Sequence, residues 1–182
     1  MRISGGSLRG RQVYVPAGVI RPAMDRMRES VFATLGDLEE CPFLDLFSGS
    51  GIIALEAASR GANPVEAVEK DPVKWKTLLR NVALAPERIQ CRFMPAEQYI
   101  RRARRSFGVI FCDPPFAYRF KGELVRSIAA SPLVRSGSWL LVHRPEEDFY
   151  LDNLGDAFFS GGVEREASKR YGRSVVDFLV WR

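Results

Sequence analysis

Histidine and cysteine are nearly missing from this chain of 182 residues, which holds one histidine and three cysteines. Cys41, Cys91 and Cys112 are odd in number and form no C-x-x-C spacing, and His143 is their only imidazole companion. That excludes a zinc site and a disulfide scaffold and leaves reduced structural thiols, as in a cytoplasm. No metal is expected. There is also no run of about 18 apolar residues, so no membrane-spanning helix is expected. No apolar segment follows Arg2, so no secretory signal is expected either. The hydrophobic fraction of 46% gives one domain with a proper core.

Charge is unevenly placed. The first 28 residues hold Arg2, Arg9, Arg11, Arg21, Arg26 and Arg28 against Asp25 alone, so they carry the whole chain's net charge of +5. Such an arm suits a phosphate backbone, where neutralised phosphates release counterions; the same composition also fits a solvated surface that aids solubility. Within it, Val13 and Val15 alternate against Gln12 and Tyr14, which predicts a small hairpin ending at Arg21-Pro22. Asp25 is expected to cap a helix carrying Met27, Val31 and Leu35, with Gly36 past its end.

The stretch Phe43 to Phe47 reads as a buried strand, followed by Ser48-Gly49-Ser50-Gly51 and a helix from Ile52 to Arg60. Gly49 and Gly51 allow a sharp turn and close approach of backbone to ligand, and Ala54 completes G-x-G-x-x-A. A tight turn without a ligand would look the same. A second strand, Val65 to Val68, ends at Glu69, where dinucleotide-type folds place an acid that accepts hydrogen bonds from ribose hydroxyls. Asp71 and Pro72 then open a helix through about Leu84.

Further strands are expected over Ile89 to Phe93, Val109 to Cys112, Trp139 to His143, Val163 to Ala167 and Val175 to Trp181. Helices are expected over Ala96 to Arg105 and about Gly122 to Ala130. Arg101, Arg102, Arg104 and Arg105 complement a helix C-terminus. Alternating strands and helices with a closing β pair describe a doubly wound α/β sheet whose last strand is antiparallel.

Asp113-Pro114-Pro115-Phe116 follows the fourth strand and so falls on the same sheet edge as Gly49 and Glu69. The prolines remove two N–H donors and leave carbonyls free to accept. An amine conjugated to a heteroaromatic ring is a poor nucleophile. The Asp113 carboxylate and the Pro114 carbonyl could hold its two N–H groups and turn the nitrogen toward an electrophilic methyl, while Phe116 stacks on the ring. A Pro-Pro turn with a capping aspartate is the plainer alternative for Asp-Pro-Pro alone.

These residues resemble the class I S-adenosylmethionine-dependent methyltransferases of the amino-methylating branch, whose signature is Asp or Asn, Pro-Pro, then Tyr or Phe. Arg2 to Arg11, Arg21-Pro22 with Asp25 to Glu29, Leu44 to Gly51, Glu56-Ala57 with Ser59 to Ala62, Asp113 to Phe116 and Lys169 to Gly172 are similar to the bacterial RsmD family. That family methylates the exocyclic N2 of a guanine in 16S ribosomal RNA. The resemblance implies a Rossmann-like class I fold: a seven-stranded, mostly parallel twisted sheet with the last strand antiparallel, helices on both faces and a small N-terminal β-hairpin extension. It implies a basic arm over residues 1–22 and a methyltransferase domain over 23–182.

Carried over by position, the resemblance assigns Asp45, Gly49 and Gly51 to the methionine part of S-adenosylmethionine and Glu69 to its ribose. It places Phe47, Ser48, Lys70 and Ala96 against the cofactor as well. Asp113, Pro114 and Phe116 would engage a flipped guanine, and Arg2, Arg9, Arg11, Arg21 and Arg26 would grip RNA. The partner would be 16S ribosomal RNA or a small-subunit assembly intermediate, met by a cytoplasmic monomer. Two departures stand out: Met24-Asp25 where the family has Thr-Asp, and Pro95-Ala96 where it has Asp-Ala. A nicotinamide-dependent dehydrogenase would explain the glycine loop and Glu69 but not Asp113 to Phe116. A non-catalytic RNA-binding module needs no cofactor loop. Adenine N6 and protein glutamine are chemically open as target amines.

Overall fold

The computed structural model describes residues 1–15, 22–85 and 89–182, without the side chains of residues 22 and 23. In chain order the elements are α1 (Pro22–Leu35), β1 (Phe43–Leu46), α2 (Ile52–Ser59), β2 (Val65–Glu69), α3 (Pro72–Val82), β3 (Ile89–Phe93) and α4 (Ala96–Arg102). They continue with β4 (Val109–Cys112), α5 (Lys121–Ala129), β5 (Trp139–Pro145), α6 (Asp156–Ser160), β6 (Val163–Tyr171) and β7 (Ser174–Trp181). The strands form one seven-stranded sheet in the order β3-β2-β1-β4-β5-β7-β6. β1 to β5 run parallel, and β7 is inserted antiparallel between β5 and β6.

Alternation along the strands builds two cores. Phe43, Val65, Ala67, Val109 and Phe111 face one side with α1, α2 and α3, while Leu44, Leu46, Val68, Ile110 and Cys112 face the other with α4 and α5. The central strands β1, β2 and β4 are buried at every position, Asp45, Glu66 and Glu69 included, because helices cover both faces of the parallel sheet.

Several boundaries differ from the sequence reading. Asp25 does not cap α1, which begins at Pro22, a residue well suited to a first helical position. Asp25 lies in the first turn and pairs with Arg28 at 3.0 Å. β1 stops at Leu46 because Phe47 takes a left-handed φ of 62°. α4 ends at Arg102, so Arg104 and Arg105 lie beyond it; Arg105 and Arg92 both pair with the buried Glu66. Among the described residues the expected hairpin is present as one antiparallel bridge, Arg2 to Gln12. Arg21 lies outside the described residues.

The N-terminal segment is nevertheless packed in place. Ile3 and Val13 are both buried. The Ser7 N–H donates to the Ser59 carbonyl at 2.6 Å, and the Leu8 N–H donates to Ser59 Oγ at 2.8 Å. Gly6 runs at φ 76° so close to α2 that a Cβ would sit 1.8 Å from the Ser59 oxygen. Glu56 of α2, fully buried, accepts from the Ser4 N–H at 2.7 Å, Ser4 Oγ at 3.0 Å, Arg28 Nε at 2.6 Å and Arg60 Nη1. Lys169 and Tyr171 of β6 bond Thr34 and Ser30 of α1 at 2.6 and 2.7 Å.

Glu56→Ala therefore leaves the Arg28 guanidinium buried without its main carboxylate. The expected loss is about 3–5 kcal/mol of stability, the usual cost of stripping one partner from a buried ion pair. Thermal melts read the loss, and hydrogen exchange should show residues 1–15 deprotected well before the sheet. A melting temperature equal to wild type would contradict it.

Candidate active site

Three parallel strands bring acids to one edge of the sheet. The pairing of Leu46 with both Val68 and Cys112 sets β1, β2 and β4 level, so Asp45, Glu69 and Asp113 meet at their carboxyl ends. The loop after β1 crosses this edge. Its Ser48 N–H donates to the Val68 carbonyl at 2.9 Å, and Gly51 enters α2 at φ 79°. A Cβ on Gly51 would meet Leu78 of α3 at 2.4 Å, so packing demands glycine there. Gly49, at φ 56°, has only the Phe47 oxygen within 4 Å of a Cβ among the described residues, which leaves its surface open to a ligand.

Glu69 is buried and held by three backbone donors. Its Oε2 accepts from the Gly49 N–H at 2.8 Å, and its Oε1 accepts from the N–H groups of Lys70 and Asp71 at 2.9 and 2.8 Å. A carboxylate offers about four lone-pair sites, so Oε2 retains one for an incoming hydroxyl. The Lys70 side chain is exposed, and only its backbone touches Glu69. Ala96, buried, begins α4, and the Met94 N–H donates to the Glu69 carbonyl at 3.2 Å, joining the end of β3 to this edge.

Asp45 is buried and accepts from the Ala54 N–H at 3.2 Å. Burial, then the nearby charge of Asp113 and more weakly that of Glu69, push its carboxyl well above the ordinary range, while the Ala54 hydrogen bond pulls it down. Converging carboxylates favour a cation and oppose a pyrophosphate. S-adenosylmethionine, with a sulfonium and an ammonium, fits such an edge; a dinucleotide fits it poorly despite the glycine spacing.

Beyond β4, the Asp113 N–H donates to the Leu46 carbonyl at 3.2 Å. Pro114 is buried and Phe116 is 44% exposed, so the phenyl ring offers surface to a partner. Phe47 and Tyr118 meet edge to face at 5.6 Å, and Tyr118 donates to Glu97 at 2.8 Å, closing the loop against α4. Two residues of this site were not assigned to it from the sequence. His143 on β5 lies with Nδ1 2.8 Å from Asp113 Oδ1. Lys121, fully buried, donates to the Tyr118 carbonyl at 2.6 Å and pairs with Asp148 at 2.7 Å, fixing the loop that carries Phe116. The signal for His143 is its position on the strand that a doubly wound order sets beside β4.

The basic residues lie elsewhere. Arg2, Arg9 and Arg11 are exposed on the N-terminal segment and Arg26 on α1; Arg28 is buried against Glu56 and Asp25. A cleft of about 490 Å³ between that segment and α1 is lined in part by Arg2, Arg9, Asp25 and Glu29. Among the described residues no cluster of His, Cys, Asp and Glu could hold a metal, and no helix is long and apolar enough to cross a membrane.

The family described as conserved hypothetical protein 95 matches residues 1–179. Ribosomal RNA small subunit methyltransferase D of Escherichia coli K12 is 33% identical over 143 residues, covering 77% of this chain and 69% of that one. The chain belongs to this methyltransferase family. Among solved structures, a hypothetical protein of Thermus thermophilus is 31% identical, with a TM-score of 0.80, covering 100% of this chain and 99% of that one. A protein from Escherichia coli, yhhF, described as a methyltransferase, is 25% identical with a TM-score of 0.84, covering 100% of this chain and 98% of that one. Family and fold thus agree with the chemistry of the sheet edge.

The raised carboxyl of Asp45 gives a pH-dependent stability with a definite sign. The native state binds this proton more tightly than the unfolded chain, so stability falls as pH rises from about 4 through the native value. Asp45→Asn carries no charge and keeps an acceptor for the Ala54 N–H. It should melt higher than wild type at neutral pH, with the difference shrinking toward zero as pH falls to about 4. Melting curves of both proteins across that range check this, and a pH-independent difference would rule it out.

Proposed function

We propose that this methyltransferase transfers a methyl group from S-adenosylmethionine to the exocyclic N2 amine of a guanine in 16S ribosomal RNA, acting in the cytoplasm as a monomer on free RNA or an assembling small subunit. The observation that carries the reading is the convergence of Asp113, Asp45 and Glu69 at one sheet edge, with Pro114 and Phe116 beside them. The name of the Escherichia coli relative supports the choice of small-subunit ribosomal RNA.

When bound, S-adenosylmethionine supplies an electrophilic methyl group on a sulfonium. Asp45 and the loop through Phe47, Ser48, Gly49 and Gly51 would hold its methionine part, and Glu69 with the backbone of Lys70 its ribose, with Ala96 against the adenine. Asp113 accepts one N–H of the target amine through the oxygen that His143 leaves free, and the Pro114 carbonyl accepts the other. These two acceptors turn the nitrogen lone pair out of conjugation and toward the methyl. The Asp113 side chain is 31% exposed, so the proton shed by the methylated amine has a path to water. Phe116 stacks on the flipped base. The exposed Arg2, Arg9, Arg11 and Arg26, together with Arg21, would grip the phosphate backbone.

Incubation with radiolabelled S-adenosylmethionine and unmodified small subunits, followed by nucleoside analysis, tests the reading. Label in N2-methylguanosine is expected; label in N6-methyladenosine or in protein would replace guanine as the substrate. Asp113→Ala should keep cofactor affinity, since Gly49 and Glu69 are untouched, while methyl transfer falls by about 10²-fold or more. Phe116→Ala should lose about 1–3 kcal/mol of base stacking and weaken RNA engagement as well, whereas Phe116→Tyr keeps the π-face and is tolerated. Wild-type turnover by Asp113→Ala would reduce the tetrapeptide to a turn.

Reversal of Arg9 and Arg11 to Glu probes the arm. RNA binding should weaken and its salt dependence flatten, by about 0.7–0.9 in log–log slope for each phosphate that is no longer neutralised. S-adenosylhomocysteine affinity, measured by calorimetry, should stay at the wild-type value. An unaltered salt slope would leave those arginines as solvated surface.

A further inference from the structure

We propose that His143 is a positioning residue for methyl transfer: its imidazole fixes the Asp113 carboxylate so that Oδ2 faces the target amine. This rests on the reading of Asp113 as the amine acceptor.

The placement follows from the sheet. β4 and β5 pair in parallel with Cys112 opposite Val142, so the next residue on each strand, Asp113 and His143, are neighbours at the carboxyl edge. Nδ1 lies 2.8 Å from Asp113 Oδ1, and the imidazole meets the Phe116 ring edge to face, with centroids 5.4 Å apart and planes at 68°. One side chain thus touches both the acceptor of the amine and the platform for the base.

Hydrogen bonding assigns the tautomer. An ionised carboxylate only accepts, so Nδ1 carries the proton and donates it to Oδ1. Nε2 is buried without a hydrogen-bond partner among the described residues. A proton placed there would be an unsatisfied buried donor, so the hydrogen-bond geometry favours the tautomer with its proton on Nδ1 and its lone pair on Nε2. A neutral donor orients Asp113 and leaves its negative charge available to the amine. A lysine or arginine at this position would orient it too, but would neutralise that charge.

Stability does not account for the imidazole. A leucine would fill the same strand position without leaving a polar atom unpaired in the core. Nε2, without a partner among the described residues, is the cost of having Nδ1–H where Asp113 needs it. His143 is 5% exposed and held against Asp113 and Phe116, so its donor is aimed in advance, and Asp113 does not have to be ordered at the moment of reaction.

The chain has one histidine, so ¹⁵N-imidazole NMR reads this residue alone, on the wild-type protein and without turnover. A proton on Nδ1 and a bare Nε2 are expected, and Asp113→Ala should release the Nδ1 proton to faster exchange. In kinetics, His143→Leu should lower kcat roughly ten- to a hundredfold, with KM for RNA and affinity for S-adenosylhomocysteine unchanged. His143→Asn, whose amide N–H reaches the place of Nδ1–H, should recover most of that loss. In an Asp113→Ala background, His143→Leu should cost nothing more, because the two act as a unit.

A proton on Nε2, wild-type kcat in His143→Leu, equal loss in the Leu and Asn variants, or additive losses with Asp113→Ala would each overturn the proposal. If Asp113→Ala itself turns over at the wild-type rate, the amine-acceptor reading fails. If Asp113→Ala is inactive while His143→Leu is unimpaired, only the role of His143 fails.

Discussion

The buried carboxylate of Glu56 is the point to which the N-terminal half of the molecule is fastened. It draws in the backbone and hydroxyl of Ser4, the guanidinium of Arg28 from α1 and that of Arg60 beyond α2, so three separate stretches of chain converge on one charge. A carboxylate without exposure to water requires such partners, and Arg28, equally buried, requires Glu56 in return. Charge thus dictates the register of the N-terminal segment over α2, and Gly6 is confined to glycine where that segment passes the Ser59 carbonyl. The sheet edge inherits this order, since α2 begins at the loop that crosses it.

Electrostatics then divides the surface by task. The carboxyl edge concentrates Asp45, Glu69 and Asp113, and burial together with the charge of Asp113 holds the Asp45 proton well beyond its usual range. Such an edge attracts an ammonium or sulfonium and repels phosphate. The exposed arginines of the N-terminal segment do the reverse. A cationic cofactor and a polyanionic substrate approaching one site need surfaces of opposite sign, and the fold separates them by giving the acids to strand ends and the arginines to the segment outside the sheet.

Much of this was legible in the sequence because it is local. Phe43 to Phe47, Val65 to Val68 and Val109 to Cys112 are short, mostly apolar runs that read as buried strands, and Gly49 to Gly51 announces the turn between β1 and α2. The two-sided sheet follows from alternation with helices. What sequence did not yield depends on partners far apart in the chain. Arg28 counted as part of a phosphate-binding arm, yet Glu56 claims it. Asp25 resembled a helix cap, but Pro22 opens the helix first. His143 stood out only as a solitary histidine unsuited to a metal site. Its partner, Asp113, is fixed by strand order, and no window of residues contains both.

Asn81 shows why the N-terminal segment and the glycine loop act as neighbours despite their separate charges. Its amide accepts from the Tyr14 N–H at 3.0 Å and donates to the carbonyls of Tyr14 and Ser50, both at 2.8 Å. The side chain is buried at the end of α3, close to Leu78, whose methyl group already leaves Gly51 no room for a Cβ. Lifting Tyr14 away would leave two donors or acceptors of Asn81 unpaired in a dry setting, at about 1–3 kcal/mol for each group stranded. The glycine loop is therefore supported from below by α3 and from the side by the segment that carries the exposed arginines. A substitution at Asn81 acts on both, whereas one at Arg9 or Arg11, whose side chains point to solvent, acts on the arm alone.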